Sequence, residues 1–151
     1  MKRVVVKNIV LAAALVVSVT LGLAPVAQAE EGRLVTVVTS PEPQTQLMAM
    51  VLTMQAAAQG TRVRVLLCGP GGDIALREAP DSATAPQPPR DMSPQGLLKA
   101  IMEAGGQVEV CAIYLPGRGV AASALIEGVG VARPPEMAGA MLADDTVVWS
   151  F

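Results

Sequence analysis

Histidine is missing from this chain of 151 residues, and only two cysteines, one tyrosine, one tryptophan and one phenylalanine are present. Without histidine there is no Ser–His or Cys–His dyad. With no CxxC pair either, a zinc site lacks its usual ligands. Tyr114, Trp149 and Phe151 are all the aromatics, too few for a surface on which single-stranded nucleic acid or carbohydrate stacks. Clustered positive charge is lacking too: 11 Lys+Arg stand against 13 Asp+Glu. The basic residues beyond the amino-terminal segment are scattered, so the footprint for nucleic acid or anionic lipid is absent. Past Glu30-Glu31 at the start of the domain, paired carboxylates occur only as Asp144-Asp145, which read as cap and turn residues at a helix–strand junction. The methionines Met48, Met50, Met54, Met102 and Met141 lie in apolar helical segments, where filling a core is their ordinary role rather than binding Cu(I). No cofactor or metal is implied.

The amino-terminal segment has its own logic. Lys2, Arg3 and Lys7 precede an apolar run from Ile9 to Leu23, and Ala27-Gln28-Ala29 is a small-x-small cleavage site. That order predicts a secretory signal peptide over residues 1–29, removed to leave a chain exported to the periplasm. Loss of its three cations takes the net charge from −2 to −5. No second long apolar run follows, so no membrane association is expected after cleavage. Residues 30–151 suffice for one domain with a real core.

Within that domain, Leu34 to Thr39 reads as a buried strand. Leu47, Met50, Val51 and Met54 recur at helical spacing, after Thr39 or Ser40 as cap and Pro41 or Pro43 in the first turn. Arg62 to Cys68 is a second strand, followed by the tight turn Gly69-Pro-Gly-Gly-Asp73 and a short helix from Ile74 to Glu78. Pro80, Pro86, Pro88 and Pro89 mark residues 79–92 as an exposed, mobile loop. Ser93 and Pro94 start a helix whose apolar face is Leu97, Leu98, Ile101 and Met102, and Gly105-Gly106 stops it. A strand from Val108 to Tyr114, a helix from Ala121 to Glu127, a short strand from Val129 to Val131, a helix from Pro134 to Ala143 and a last strand from Thr146 to Phe151 complete the pattern. Strands alternating with helices predict one α/β domain: a doubly wound, mainly parallel sheet of about five strands with helices on both faces, flavodoxin-like.

Both thiols fall at carboxyl ends of strands, where open α/β sheets bind ligands. Alternation puts Glu109, Cys111 and Ile113 on one side of their strand, and Arg64, Leu66 and Cys68 on one side of theirs. Each thiol leads into a Gly/Pro turn and a helix, whose backbone N–H groups favour thiolate. A buried cysteine acting as a small hydrophobe is the competing reading for both. Arg118 follows Cys111 by seven residues in Pro-Gly-Arg-Gly, within reach of an anionic group on the sulfur or else as a solvated loop charge. The Gly69–Asp73 turn lacks the Lys-Ser/Thr ending of a phosphate loop. A Cys68–Cys111 disulfide is open in an exported chain, subject to distance.

Val-Glu-Val-Cys111 followed by Arg118-Gly119-Val120 resembles the hallmark of the DsrE/DsrF-like sulfur-relay family, which includes the TusD-like proteins. Three further features are similar: the hydrophobic strand running into a glycine-containing turn at Leu66 to Leu76, the helix ending in Glu103-Ala-Gly-Gly106, and the closing Asp-x-Val-Val-x-x-Phe at Asp145 to Phe151. The resemblance implies a DsrE-like fold, homo-oligomers (trimers or hexamers), and a persulfide handed between donor and acceptor proteins. Cys111 would carry it, and Arg118 would orient it. Cys68 is an extra thiol, and export places the chain outside the reducing compartment of the relay members, in an exported subgroup. Three readings follow: a sulfur carrier or sulfurtransferase using Cys111, a non-catalytic oligomeric binding module, and a thiol–disulfide protein using Cys68 with Cys111.

Overall fold

The computed structural model describes residues 32–151, so the expected signal peptide lies outside the described residues. Five strands form one parallel sheet: β1 (Arg33–Val38), β2 (Arg62–Leu67), β3 (Gln107–Val110), β4 (Gly130–Val131) and β5 (Thr146–Ser150), in the order β4-β3-β2-β1-β5. Helices α1 (Pro43–Ala58), α2 (Asp81–Thr84), α3 (Pro94–Glu103), α4 (Tyr114–Arg118) and α5 (Pro134–Met141) fill the connections. The expected α/β class, strand number and parallel sense are therefore what is found.

Alternation along the strands sorts the two faces. Leu34, Val38, Val63, Val65, Leu67, Val108 and Val110 join Met50 of α1 and Leu98 and Ile101 of α3 in the main core. Val35 and Leu66 point the other way, onto Met137 of α5 and Ala132. The second face is thus covered by one helix of eight residues, which leaves Val148 on β5 exposed.

Local chemistry explains the helix ends. Ser93 caps α3 by accepting the Gly96 N–H at 3.2 Å, and Gly105 stops it with a φ of 90°. Glu42, not Thr39 or Ser40, is the N-cap of α1, and no side chain bonds there. The buried side of α1 is Gln46, Ala49, Met50 and Thr53, turned from the Leu47–Met50–Val51–Met54 stripe. Thr53 is admitted because its hydroxyl meets that of Thr36 at 2.8 Å and donates to the Ala49 carbonyl at 2.7 Å.

Three expectations need correction. The strand expected from Val108 to Tyr114 ends at Val110, and Tyr114–Arg118 is helical. Pro116 has no N–H for a ladder but is tolerated in a first helical turn, and Gly119 closes the turn at a φ of 73°. The helix expected from Ala121 to Glu127 is only a 3₁₀ turn, Ala122–Ala124; Leu125 instead bridges Leu76, and the Ile126 N–H bonds the Ala75 carbonyl. The helix expected at Ile74–Glu78 is displaced toward the glycines, as a 3₁₀ helix over Gly69–Ala75. Residues 79–92 contain α2 and a Gln87–Met92 bridge; Ala83 is buried, and the Gln87 amide donates to the Pro43 carbonyl at 3.0 Å.

Candidate functional site

The register of the sheet sets the site. Leu67 and Val110 are Cα partners on β2 and β3, so the next residues, Cys68 and Cys111, emerge side by side at the carboxyl edge. Each is held by a ladder bond, Cys68 N–H to the Val38 carbonyl and Cys111 N–H to the Leu67 carbonyl, both 2.9 Å. Both are free, half-buried thiols, and Cys111 is the neighbouring group that acts on Cys68. The same-side grouping of Arg64, Leu66 and Cys68 with Glu109 and Cys111 holds; Arg64 and Glu109 form an ion pair on that face. Ile113 lies past the end of β3 and is 77% exposed.

The thiols nevertheless differ. Both pack against the smaller core beneath α5, but for Cys68 burial, and then Cys111, push the pKa up to about 12, so its proton is retained at neutral pH. Cys111 opens onto a pocket of about 390 Å³ whose walls include Pro70, Asp73, Ile113, Tyr114 and Arg118. A larger recess of about 580 Å³ lies at the opposite edge of the sheet, among Arg33, Arg62 and Thr146. Its lining includes no cysteine, and the carboxyl-edge pocket, which holds the thiol, is the chemically relevant one.

Arg118 shares the pocket with Cys111, but it is not a free loop charge. It ends α4 and is gripped by Asp73 through two bonds, Nε to Oδ1 and Nη2 to Oδ2, both 3.1 Å. The Tyr114 hydroxyl donates to the same carboxylate at 2.8 Å. Burial first and Asp73 second raise the Tyr114 pKa, which keeps the phenol protonated. Asp73 and Tyr114 are the residues that sequence reasoning missed. Asp73 was taken as the end of a simple turn, and Tyr114 as part of a strand. The available signal was the Gly71-Gly72 pair. A Cβ on Gly72 would collide with the Tyr114 ring, and one on Gly71 with the Val38 carbonyl. Glycine lets the loop lie flat on the ring and bring Asp73 to Arg118.

The site lies at the carboxyl ends of the strands, but not where the strand order reverses. That reversal falls between β1 and β5, and Cys111 stands two strands away at β3. The model of the DsrE/DsrF-like family matches residues 33–149. The chain belongs to this family. No match is found among curated proteins. Among solved structures, the ychN protein from E. coli superposes with a TM-score of 0.59 at 22% identity, covering 80% of this chain and 99% of the other. The protein of unknown function MTH1491 from Methanobacterium thermoautotrophicum does so with a TM-score of 0.61 at 15% identity and the same coverage. At these identities the likeness is one of fold.

Among the described residues, no group of three or more His, Cys, Asp or Glu is placed to hold a metal, and no helix is long and apolar enough to cross a membrane. The arrangement offers a sulfur in a pocket wall, a cation fixed in the same pocket, and a second sulfur that keeps its proton.

Proposed function

We propose that this DsrE/DsrF-like protein is a sulfur carrier, or sulfurtransferase, that holds a persulfide on Cys111. The Cys111 thiolate attacks the outer sulfur of a donor persulfide; the S–S bond breaks, and the donor leaves as thiolate. An acceptor thiolate then attacks the outer sulfur on Cys111 and restores the starting thiolate. Arg118 stands where it steadies the negative charge on the outer sulfur, and its bidentate grip by Asp73 limits the reach of that charge to the pocket. The observation that carries the reading is the pairing of Cys111 with Arg118 in one open pocket, while the neighbouring Cys68 keeps its proton.

Membership of a family associated with sulfur relay supports the reading. A TusD-like, exported, periplasmic subgroup and assembly into trimers or hexamers are part of the same proposal. They rest on the leader-like segment at residues 1–29 and on the motif resemblance. The donor and acceptor are proteins presenting a persulfide and a thiol, respectively. The test is incubation of the mature protein with inorganic polysulfide, followed by intact mass and peptide mapping without reductant. One added sulfur atom on Cys111, removable by reductant and lost in Cys111→Ser, is the expected result. A folded protein whose Cys111 takes up no sulfur refutes the proposal and leaves the binding module in its place. The side-by-side thiols also favour a thiol–disulfide reading; for that reading the same mapping returns a Cys68–Cys111 disulfide even with no sulfur donor added.

A further inference from the structure

We infer that Cys68 is a resolving thiol for the persulfide on Cys111: it releases the carried sulfur as hydrosulfide and leaves a Cys68–Cys111 disulfide. This rests on the carrier reading and adds a second fate for the sulfur, besides transfer to a partner.

The geometry is the first argument. Neighbouring strands lie about 4.8 Å apart, and a disulfide spans Cα separations of about 4.4–6.8 Å. Cys68 and Cys111 directly follow the Leu67–Val110 partners of adjacent parallel strands, and each is anchored by a ladder hydrogen bond. By alternation both side chains leave the sheet on the face opposite Leu67 and Val110, so the two sulfurs stand on the same side. No rearrangement of the sheet is needed to join them.

The chemistry balances without an outside oxidant. Cys68 passes its proton to the anionic outer sulfur and, as thiolate, attacks the inner sulfur of the persulfide, the Sγ of Cys111. The Sγ–S bond breaks and its electron pair leaves on the outer sulfur as hydrosulfide. The two cysteine sulfurs are oxidised to a disulfide, and the sulfane sulfur is reduced to sulfide. An external dithiol returns the pair to two thiols.

The surroundings of Cys68 set the rate. Cys111 is the titratable group that acts on it. The other groups packed in the same cluster are apolar: Val35 and Val37 from β1, Met137 and Met141 from α5. With its pKa near 12, Cys68 is almost wholly protonated at neutral pH. The persulfide therefore survives long enough for transfer: the proton Cys68 holds must first pass to the outer sulfur.

The experiment loads wild type, Cys68→Ser and Cys68→Ala with inorganic polysulfide, removes the excess, and holds each at pH 7, 8 and 9. Released hydrosulfide is trapped and quantified, and intact mass is read without reductant. Wild type should pass from the Cys111 persulfide to the internal disulfide with one hydrosulfide per chain, at a rate little changed across the three pH values. Sulfur on Cys111 of the two variants should be released at least about tenfold more slowly. Equal release from wild type and variants overturns the inference while leaving the carrier reading intact, and so does migration of the extra sulfur onto Cys68. Failure of Cys111 to load in every protein overturns both. The disulfide mass in wild type is an independent measure should either variant fold poorly.

Discussion

Replacing Gly72 by alanine adds one methyl group at the point where the site is built. Gly72 is buried in the 3₁₀ helix Gly69–Ala75, and it is not among the glycines with positive φ, so alanine suits the backbone. The obstacle is steric: the new Cβ would overlap three atoms of the Tyr114 ring. The ring is only 5% exposed, and its hydroxyl is tied to Asp73 at 2.8 Å, so it cannot simply swing away. Overpacking of this kind costs about 1–3 kcal/mol. With a urea m-value of about 1–3 kcal/mol/M, that lowers the unfolding midpoint by about 1 M at unchanged slope. Displacing the ring also moves Asp73 and loosens Arg118, so sulfur loading of Cys111 should slow. Gly117, also in the pocket wall, has nothing within 4 Å of its virtual Cβ, and Gly117→Ala should be neutral or stabilising by up to about 1 kcal/mol. A double-mutant cycle isolates the cause. In a Tyr114→Ala background, Gly72→Ala should cost nothing, because the ring it strikes is gone. If Gly72→Ala is as costly there as in wild type, the clash is not the reason and the account of the glycine pair is wrong.

Cys68 has a pKa raised from 9.0 to about 12 in the fold, so its contribution to stability is complete below pH 9 and is lost as pH rises through 12. The urea midpoint of wild type should fall over that window, and that of Cys68→Ser should fall less; parallel curves for the two would refute the assignment. In Asp73→Asn, the phenol loses part of what raises its pKa, and the titration of Tyr114, the one tyrosine in the chain, should move toward its ordinary range by ultraviolet absorbance. Because Arg118 is half exposed, that variant should lose at most about 1 kcal/mol from the ion pair. In the core, Thr53→Val strands the buried Thr36 hydroxyl and should cost about 1–3 kcal/mol. Adding Thr36→Val should recover most of that loss in chemical denaturation.

How much of this was legible before folding depends on whether the deciding contact was local. The strands of Val, Leu and Arg, the Ser93-Pro94 start and the Gly105-Gly106 stop carry their reasons within a few residues, and each fell where expected. The thiols at the strand ends and the shared side of Glu109 and Cys111 followed from the period of two alone. Misplaced elements trace to long-range contacts. Leu125 and Ile126 leave a helical path because Leu76 and Ala75 offer backbone partners about fifty residues earlier. The buried side of α1 includes Gln46 and Thr53 because hydroxyl and carbonyl partners wait there, which hydrophobic spacing cannot register. Asp73 and Tyr114 were overlooked for the same reason: their bond joins two short helices across a separation of 41 residues.

The asymmetry between the two thiols comes from what the fold lays over each strand end, not from the cysteines themselves. Cys68 and Cys111 occupy equivalent places, one residue past Leu67 and Val110 on adjacent strands. After Cys68 the chain closes down at once: Gly71 lies so near the Val38 carbonyl that a Cβ there would strike it, and Cys68 packs, as Cys111 also does, on the cluster of Met137 and Met141 of α5. After Cys111 the chain turns outward, through Ile113 at the rim and into a helix of five residues, and the sulfur is left in a pocket wall. A buried thiol resists ionisation, while a sulfur in a pocket wall beside a fixed guanidinium is available for exchange. One strand register therefore yields a carrier in a pocket wall and a slow neighbour on the adjacent strand. Exchanging the environments should exchange the roles: opening the cover over Cys68 with Met137→Ala should raise its alkylation rate relative to Cys111 and shorten the life of the Cys111 persulfide. An unchanged ratio of alkylation rates in a folded Met137→Ala protein would show that burial under α5 is not what keeps Cys68 protonated.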